Sequence, residues 1–434
     1  MTTPKVSLPS KRNANQTSPA HCCRTKRSHV VAEAFLVSGK RTPVGRHSGV
    51  LSSLRPDDMA ATAIKAVLDD SGLDSAVVDE VLLGNANGAG EENRNVARMA
   101  WLLAGGDESV PAMTVNRLCA SGMSAIETAS RMVATGDADI VIAGGVESMS
   151  RAPWVLEKPT RAFAQPGQIF DSALGWRFVN PRFEYGDLSR DGKMTYSMTE
   201  TAQEVANIDG VTRQEADEFA AASQAKAVAA TEAGHFANEI VPVEIKDRKG
   251  NVTVVDQDEG PRPGTTAEKL SNLRPVTGLG DVVTAGNSSS LNDGASAIIV
   301  ASAAAVEKYN LTPRARIVAG GSAGLAPEVM GLGPVPATEK VLARAGWSVD
   351  DLDAAELNEA FATQSIASMR RLGIKPEIVN AWGGAIALGH PLGSSGSRIV
   401  ITLLSRLEAE EKSRGLATMC VGVGQGAAML IERV

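Results

Sequence analysis

An internal duplication constrains the fold of this chain more than any other feature of its sequence. Residues 63–86 and 337–360 align without a gap, and each copy reads as an amphipathic helix, a glycine turn, a short acidic segment and a strand. Two copies of one helix–strand unit predict two similar α/β halves packed against each other. The identical positions are Ala63, Val67, Leu68, Gly72, Asp79, Leu83 and Ala86, which fall on Ala337, Val341, Leu342, Gly346, Asp353, Leu357 and Ala360.

Two weaker correspondences follow in the same order along both halves. "VNRLCASG" at 115–122 parallels "VNAWGGAI" at 379–386, and "DIVIAGG" at 139–145 parallels "ATMCVGV" at 417–423. Their identities are few, so chance competes with duplication for these two pairs. From residue 31 onward β-rich runs alternate with helical patterns, which predicts an α/β class with mainly parallel strand pairing.

The predicted domain organisation separates the two halves by an insertion. The segment between them holds much of the aromatic content and little periodicity, apart from a helical stretch at 199–234. A long irregular insertion beside a compact core is more often functional than idle. The predicted segments are a disordered basic tail (1–30), an N-terminal half (31–150), a loop or substrate-binding insertion (151–289), a return segment of the N-terminal half (290–312) and a C-terminal half (313–434).

Composition excludes several function classes. The formal net charge of −7 and the pI near 5.5 argue against a nucleic-acid partner, and no run approaches the roughly 18 apolar residues that span a membrane. The cysteines form no secreted disulfide framework, so a cytoplasmic location is expected. His21, Cys22, Cys23 and His29 fit no zinc spacing, so no metal site is expected. The tail composition also fits a transit peptide or a start codon placed too early.

Cys119 lies between a β-leaning "AMTV" and a helix-like "SGMSAIETASRMVATG". A cysteine at such a turn faces the N–H groups and the positive dipole end of the helix, and both favour a thiolate. This position predicts a reactive nucleophile. The alternative is a small buried hydrophobic residue, which is what most free cysteines are.

Three further residues carry potential chemistry in the C-terminal half. His390 lies among glycines in "GGAIALGHPLGSSGSR" and is a candidate base, with a structural histidine as the alternative. Asn358 follows a strand and could orient a water or support an oxyanion, with turn stabilisation as the alternative. Cys420 ends an apolar strand. The nearby G-x-G-x-x-A pattern is not a dinucleotide fingerprint, because the chain stops at Val434 before the required elements.

Together these segments resemble the thiolase family over essentially all of residues 31–434. The resemblance implies a thiolase fold, with two βαβαβαββ halves and an inserted loop domain. It also implies an acyltransferase that cleaves a 3-oxoacyl-CoA with coenzyme A or runs the reverse condensation. The segments that match thiolase signatures, in order, are "NRLCASGM", "AGGVESMSRAP", "TAGNSSSLNDGASA", "NEAFA", "GGAIALGHPLGSSGSR" and "CVGVGQG".

The resemblance also implies roles for individual residues. Cys119 would be the nucleophile that becomes an acyl-thioester, and His390 would take its proton. Cys420 would be the second acid/base, acting on the α-carbon of acetyl-CoA. Asn358 would hold a water that stabilises the enolate oxygen with His390. The backbone N–H groups of Cys119 and Gly422 would form a second oxyanion hole.

Coenzyme A and acyl-CoA are the substrates that the resemblance implies, with no permanently bound cofactor. Arg262 and Ser289 match contacts to the nucleotide and pantetheine parts of coenzyme A. Met198, Ala360 and Phe361 would line the pantetheine tunnel. The family also implies a homodimer or a homotetramer. The competing interpretation from a different class is an inactive acyl-CoA-binding homologue.

Substrate choice depends on finer similarities. Residues 90–105 and 174–181 resemble the 3-oxoadipyl-CoA thiolases, whose substrate carries a distal carboxylate and would need a cation in the acyl pocket. Arg161, Arg177 and Arg182 are the arginines of the insertion considered for it, with none preferred. The alternative is a general acetyl-CoA acetyltransferase.

Three positions depart from the common thiolase pattern. Ser290 replaces a frequent glycine after Ser289. Ser197 stands where acetoacetyl-CoA-forming members often have histidine, which argues against that activity. Trp382 stands where many members have asparagine before the double glycine. This predicts a bulky ring near His390 and a disturbance of the hydrogen bonds of that loop.

Overall fold

The structure is a computed structural model that describes residues 32–434. The expectations for the tail, including those for Cys22 and Cys23, lie outside the described residues. The strands are β1 (Ala34–Arg41), β2 (Gly45–Arg46), β3 (Glu80–Gly84), β4 (Ala112–Val115), β5 (Ile140–Ser148), β6 (Trp154–Leu156), β7 (Ile169–Asp171), β8 (Val243–Lys246), β9 (Val252–Val255), β10 (Asn292–Ser302), β11 (Ala315–Gly324), β12 (Ala354–Leu357), β13 (Arg414–Val421) and β14 (Gln425–Arg433).

Helices fill the spaces between these strands. Short 3₁₀ turns precede several strands, for example Ser75–Val77 before β3 and Val349–Asp351 before β12. The α-helices are α1 (Pro56–Ser71), α2 (Val96–Leu103), α3 (Ser121–Thr135), α4 (Pro181–Glu184), α5 (Met198–Asp209), α6 (Arg213–Glu232), α7 (Ala267–Ser271), α8 (Ala303–Lys308), α9 (Pro334–Ala345), α10 (Ala362–Leu372), α11 (Ala385–Leu388) and α12 (Leu392–Ala409).

One ten-stranded sheet runs through both halves, in the order β12-β13-β14-β11-β1-β10-β5-β3-β4, with β2 beside β10. The first strands of the halves, β1 and β11, meet at its centre through the pairs Phe35↔Arg316 and Leu36↔Ala315. Outward from that centre, β10, β5 and β3 on one side correspond to β14, β13 and β12 on the other. The sheet order therefore confirms the duplication.

The weaker sequence correspondences are confirmed for the strands but not for the alignment of residues. The pairs Glu80↔Val141 and Ala354↔Gly415 align Val141 with Gly415, four residues from the predicted alignment of 139–145 with 417–423. β5 pairs in parallel with β3 and antiparallel with β10, and β13 pairs in the same way with β12 and β14. β4 pairs in parallel with β3, and its counterpart is a single parallel bridge between Ala355 and Val379. Segments 115–122 and 379–386 therefore occupy equivalent edges of the two halves.

The expectation of mainly parallel pairing is wrong. Only β3–β4, β3–β5 and β12–β13 are parallel among the described strands of the large sheet, and its other named pairs are antiparallel. The last strand of each half causes this difference. β14 follows β13 through a tight turn at 422–424 and must therefore run antiparallel to it. β10 comes after the insertion and also runs antiparallel to its neighbour β5.

Helices α3 and α12 pack against each other between strands of both halves, and together they position the site. Their contact is close because glycines face it: a Cβ on Gly122 would lie 2.5 Å from Ser397 Oγ, and one on Gly396 would lie 2.4 Å from the backbone nitrogen of Met123. α12 is buried along most of its length. Residues just before these two helices are thereby brought together.

The segment between β5 and β10 carries the hairpins β6–β7 and β8–β9 and the helices α4 to α7. The predicted helical stretch at 199–234 is present as α5 and α6, separated at Gly210, whose φ is +64°. Each helix begins with a capping box, Ser197 with Glu200 and Thr212 with Glu215. The division of the chain at 151 and 289 stays a prediction. Within residues 32–434, no helix has the length and apolar character needed to cross a membrane.

Candidate active site

A cavity of about 550 Å³ opens at the ends of strands from both halves. Its walls come from the turns after β3, β5 and β13, from the starts of α5 and α12, and from the segment 172–177. Clustering of ligand-facing groups at such strand ends is typical of α/β sheets. The sequence-predicted residues on its wall are Cys119, His390, Cys420, Gly422, Met198, Ser289, Ala360 and Phe361.

Cys119 lies in the turn between β4 and α3 and is partly exposed to the cavity. Neighbouring side chains fix this turn. Ser121 Oγ accepts a hydrogen bond from the Arg117 N–H at 2.9 Å and donates to the Leu118 carbonyl at 2.6 Å, and Asn116 Oδ1 accepts from the Leu118 N–H at 2.9 Å. Leu118 adopts a φ of +47°, a costly conformation for a leucine that holds the sulfur on the cavity wall.

The expected thiolate at Cys119 is not the resting state. Burial raises the pKa of the Cys119 thiol to about 11, although the N–H groups of Gly422 and of Cys119 itself lower it. Loss of hydration outweighs the helix end because few polar groups replace the water. The expectation is therefore wrong for the resting protein, where Cys119 is a thiol that needs a base.

His390 supplies a base with a defined tautomer. Its backbone N–H donates to Asn292 Oδ1 at 2.8 Å, and Gly389 precedes it with a φ of +105°. Ser395 Oγ donates to the Pro391 carbonyl at 2.9 Å, so at 2.6 Å it accepts from Nδ1–H of His390. Nε2 then carries the lone pair. Burial lowers the pKa of His390 to about 3, so the resting imidazole is neutral and Nε2 carries no proton.

Asn358 lies directly after β12 and is fully buried, and it does not itself line the cavity. Its Nδ2 is 3.4 Å from His390 Nε2. Its Oδ1 has no hydrogen-bond partner among the described residues, although buried amide oxygens are almost always paired. The amide is therefore available for a polar atom that occupies the space beside His390.

Cys420 and Gly422 lie at the turn from β13 to β14. Cys420 is buried against Ala360, Phe361 and other apolar residues, and burial raises the pKa of its thiol, with a further contribution from Cys119. Val423, the next residue in the turn, has a φ of +61°, which is strained for a β-branched residue. The turn places a second neutral thiol and the N–H of Gly422 on the cavity wall facing Cys119.

Comparison with known proteins identifies the family of this site. Residues 34–304 match the family "Thiolase, N-terminal domain" and residues 311–433 match "Thiolase, C-terminal domain". The chain belongs to the thiolase family. Members of this family are acyltransferases, so this thiolase is an enzyme of that class.

Relatives of this thiolase match it over nearly their whole length. A beta-ketoadipyl-CoA thiolase of Pseudomonas aeruginosa is 55% identical over 405 residues, which are 93% of this chain and 99% of the relative. A 3-oxoadipyl-CoA/3-oxo-5,6-dehydrosuberyl-CoA thiolase of Escherichia coli is 50% identical over 407 residues, 93% of this chain and 100% of the relative. The crystal structure of an acetyl-CoA acetyltransferase of Bacillus anthracis superposes with a TM-score of 0.87 at 36% identity, covering 94% and 100% of the two chains. The predicted fold is confirmed.

One predicted residue of this thiolase lies away from the cavity. Arg262 is exposed and lines a separate surface depression with Val228, Ala229 and Glu232. Its predicted contact with coenzyme A therefore requires the nucleotide end of that molecule to extend over the surface, outside the cavity that holds Cys119. The role of Arg262 stays a prediction.

Trp382 does not crowd the cavity of this thiolase. Its ring is 5% exposed, stacks on His235 with centroids 4.6 Å apart and meets the edge of Phe236 at 5.9 Å. The glycine loop keeps its hydrogen bonds, since the Gly384 N–H donates to Ser223 Oγ at 3.1 Å. The ring fills a small apolar cluster, so the expected disturbance of the loop is absent from this part of the structure.

Sequence reasoning did not single out Glu147, which lies at the end of β5 on the cavity wall. Its carboxylate accepts hydrogen bonds from the N–H groups of Ala86 at 2.9 Å, Asn87 at 3.1 Å and Gly393 at 2.9 Å. Burial raises its pKa to about 7. Glu147 joins the turn after β3 to the start of α12. The sequence signal that could have identified it is a carboxylate at the end of a buried apolar strand.

Proposed function

We propose that this thiolase cleaves 3-oxoadipyl-CoA with coenzyme A, giving acetyl-CoA and succinyl-CoA through an acyl-thioester on Cys119. The observation that carries the proposal is that Cys119, His390 and Cys420 line one cavity. The proton of the neutral His390 ring is on Nδ1, so Nε2 carries a lone pair. The names of the relatives support the substrate.

In the first half of the reaction, His390 Nε2 takes the proton of the Cys119 thiol and the thiolate attacks the C3 carbonyl. The C2–C3 bond then breaks, and its electron pair moves to C2 to form the enolate of acetyl-CoA. Cys420 donates its thiol proton to C2, and acetyl-CoA leaves. A neutral acid is needed there, which fits the raised pKa of Cys420.

In the second half, the thiol of coenzyme A returns a proton to Cys420 and its thiolate attacks the acyl-thioester. The Cys119 thiolate leaves and recovers its proton from His390. Oxyanions develop at two different places, so two sets of donors are needed. The N–H groups of Cys119 and Gly422 suit the tetrahedral intermediate, and a water held by Asn358 with His390 suits the enolate.

The coenzyme A moiety is proposed to enter past Met198, Ser289, Ala360 and Phe361, all on the cavity wall. The N–H of Ser289 donates to the Ala360 carbonyl at 2.9 Å, and this hydrogen bond fixes that side of the cavity. Coenzyme A acts as a co-substrate, and no permanently bound cofactor is part of the proposal. A cytoplasmic homodimer or homotetramer is also proposed. The free thiols of Cys119 and Cys420 support a reducing compartment.

Substrate preference tests the proposal. We expect kcat/KM for CoA-dependent cleavage of 3-oxoadipyl-CoA to exceed that for acetoacetyl-CoA by at least about tenfold, since a paired carboxylate contributes more than about 1.4 kcal/mol. Initial rates of 3-oxoacyl-CoA consumption measure both values, with the Cys119→Ala variant as the blank. Preference for acetoacetyl-CoA would favour a general acetyl-CoA acetyltransferase, and no turnover of either would favour an inactive binding protein.

A further inference from the structure

Part of the cavity wall is built from the turn after β3 and from the segment 172–177. This part includes Leu174 and Trp176, which are apolar, and the guanidinium of Arg177. We infer that Arg177 binds the carboxylate at the far end of the 3-oxoadipyl chain and so determines the acyl specificity of the enzyme. This inference rests on the proposed function.

Arg177 is the only one of the three arginines considered from the sequence that reaches the cavity. Arg161 is exposed, and Arg182 is exposed and paired with Asp187 at 2.8 Å. The next arginine along the chain, Arg190, is engaged by Glu328 at 2.7 Å. Position therefore separates Arg177 from its neighbours, although all of them look alike in the sequence.

The guanidinium of Arg177 is held in place by neutral groups alone. Nη1 donates to the Ser172 carbonyl at 3.2 Å, and Nη2 donates to Asn87 Oδ1 at 3.2 Å. Within residues 32–434 no carboxylate lies within 4.0 Å of it, unlike the paired arginines Arg151 and Arg182. A partly buried cation without a counter-ion on a cavity wall is a site for an anionic ligand.

The acceptors of Arg177 are themselves fixed, so the guanidinium is oriented before a ligand arrives. Asn87 Nδ2 donates to the Ser172 carbonyl at 3.1 Å and to Ser172 Oγ at 3.0 Å. Trp176 Nε1 donates to the Tyr196 carbonyl at 3.1 Å, which ties the segment to the start of α5. Arginine has five N–H donors, and the two bonds above leave enough of them for a carboxylate to bind in a bidentate manner.

The same network connects Arg177 to the reacting cysteine. The backbone N–H of Asn87, whose side chain contacts Arg177, donates to Glu147, and the charge of Glu147 acts on the Cys119 thiol. Glu147 forms no ion pair with Arg177 within 4.0 Å, and its oxygens accept hydrogen bonds from the backbone N–H groups of the turn after β3 and of Gly393. Cys119 and Arg177 line the same cavity, and an acyl chain on Cys119 is inferred to extend along this wall to the guanidinium.

The test compares two substrates of equal carbon number. 3-Oxoadipyl-CoA carries the distal carboxylate, and 3-oxohexanoyl-CoA has a methyl group in its place. For Arg177→Met, we expect the ratio of kcat/KM for 3-oxoadipyl-CoA to that for 3-oxohexanoyl-CoA to fall by about 10- to 150-fold, which is the loss of a charge-assisted hydrogen bond. Arg177→Lys keeps the charge without the planar fork and should give an intermediate ratio.

Arg161→Met is the matched control, because it removes an exposed arginine of the same insertion. This variant should keep the wild-type ratio of the two kcat/KM values. An unchanged ratio in Arg177→Met would overturn the inference while leaving the proposed function intact, provided that the wild type prefers 3-oxoadipyl-CoA. A wild type without that preference would overturn the proposed substrate instead. A fall of both kcat/KM values together, with the ratio kept, would show that Arg177 only supports the loop and would also overturn the inference.

Discussion

Replacement of Cys119 with alanine is expected to lower kcat for thiolysis by at least about 10⁴-fold, comparable to the loss of other covalent nucleophiles. Without the sulfur no acyl-thioester forms, and His390 Nε2 has no thiol from which to take a proton. Direct attack of coenzyme A on the ketone would have to replace a two-step route with a single harder step. Initial rates with 3-oxoadipyl-CoA measure the effect.

The variant should fold as the wild type does. The turn that carries Cys119 is held by Asn116 and Ser121, not by the sulfur, and thermal unfolding checks this. Cys22→Ala is the matched cysteine control and should turn over as the wild type does. Substantial turnover by Cys119→Ala would remove this residue from the role of nucleophile and would move attention to Cys420.

Replacement of Cys420 with serine is expected to separate two reactions of the enzyme. Thiolysis should fall by about 10²- to 10⁴-fold, the usual contribution of a positioned acid or base. Exchange of the acetyl group between acetyl-CoA and labelled coenzyme A should fall much less. Exchange makes and breaks only the thioester on Cys119 and needs no proton transfer at the α-carbon. No enolate forms during exchange, so Cys420 keeps its proton, and His390 carries the proton between the Cys119 thiol and the coenzyme A thiol.

Labelled-coenzyme exchange and thiolysis are measured on the same preparation. Cys119→Ala serves as the control, because it should lose both reactions together. Equal losses of exchange and thiolysis in Cys420→Ser would contradict a separate role for Cys420. That result would indicate that its buried side chain supports the cavity wall alongside Ala360 and Phe361.

The duplication made most of the architecture readable from sequence. The glycine turns at Gly72 and Gly346 end α1 and α9 in equivalent places, both with positive φ. Local patterns report helices and strands, but the direction of pairing depends on which strand returns beside which. That information is spread over the chain, and for this reason the antiparallel centre of the sheet was not foreseen.

The site was predictable in its residues more than in its electrostatics. A turn before a helix predicted a thiolate at Cys119, but burial reverses that shift, and burial is a property of the assembled cavity. Arg177 could not be separated from Arg161 and Arg182, because all three lie in an irregular segment without periodicity. The sequence placed Trp382 in the loop before His390 but did not show that its ring packs on His235.

The most direct test of the account is the mass of the intact enzyme and of its Cys119 peptide after brief mixing with 3-oxoadipyl-CoA and acid quenching, with no free coenzyme A added. Omission of coenzyme A stops the reaction after the first half, so the acyl-enzyme should accumulate. The account predicts a succinyl group on Cys119, absent from Cys119→Ala. An unmodified enzyme, or a succinyl group on Cys420 instead, would contradict it.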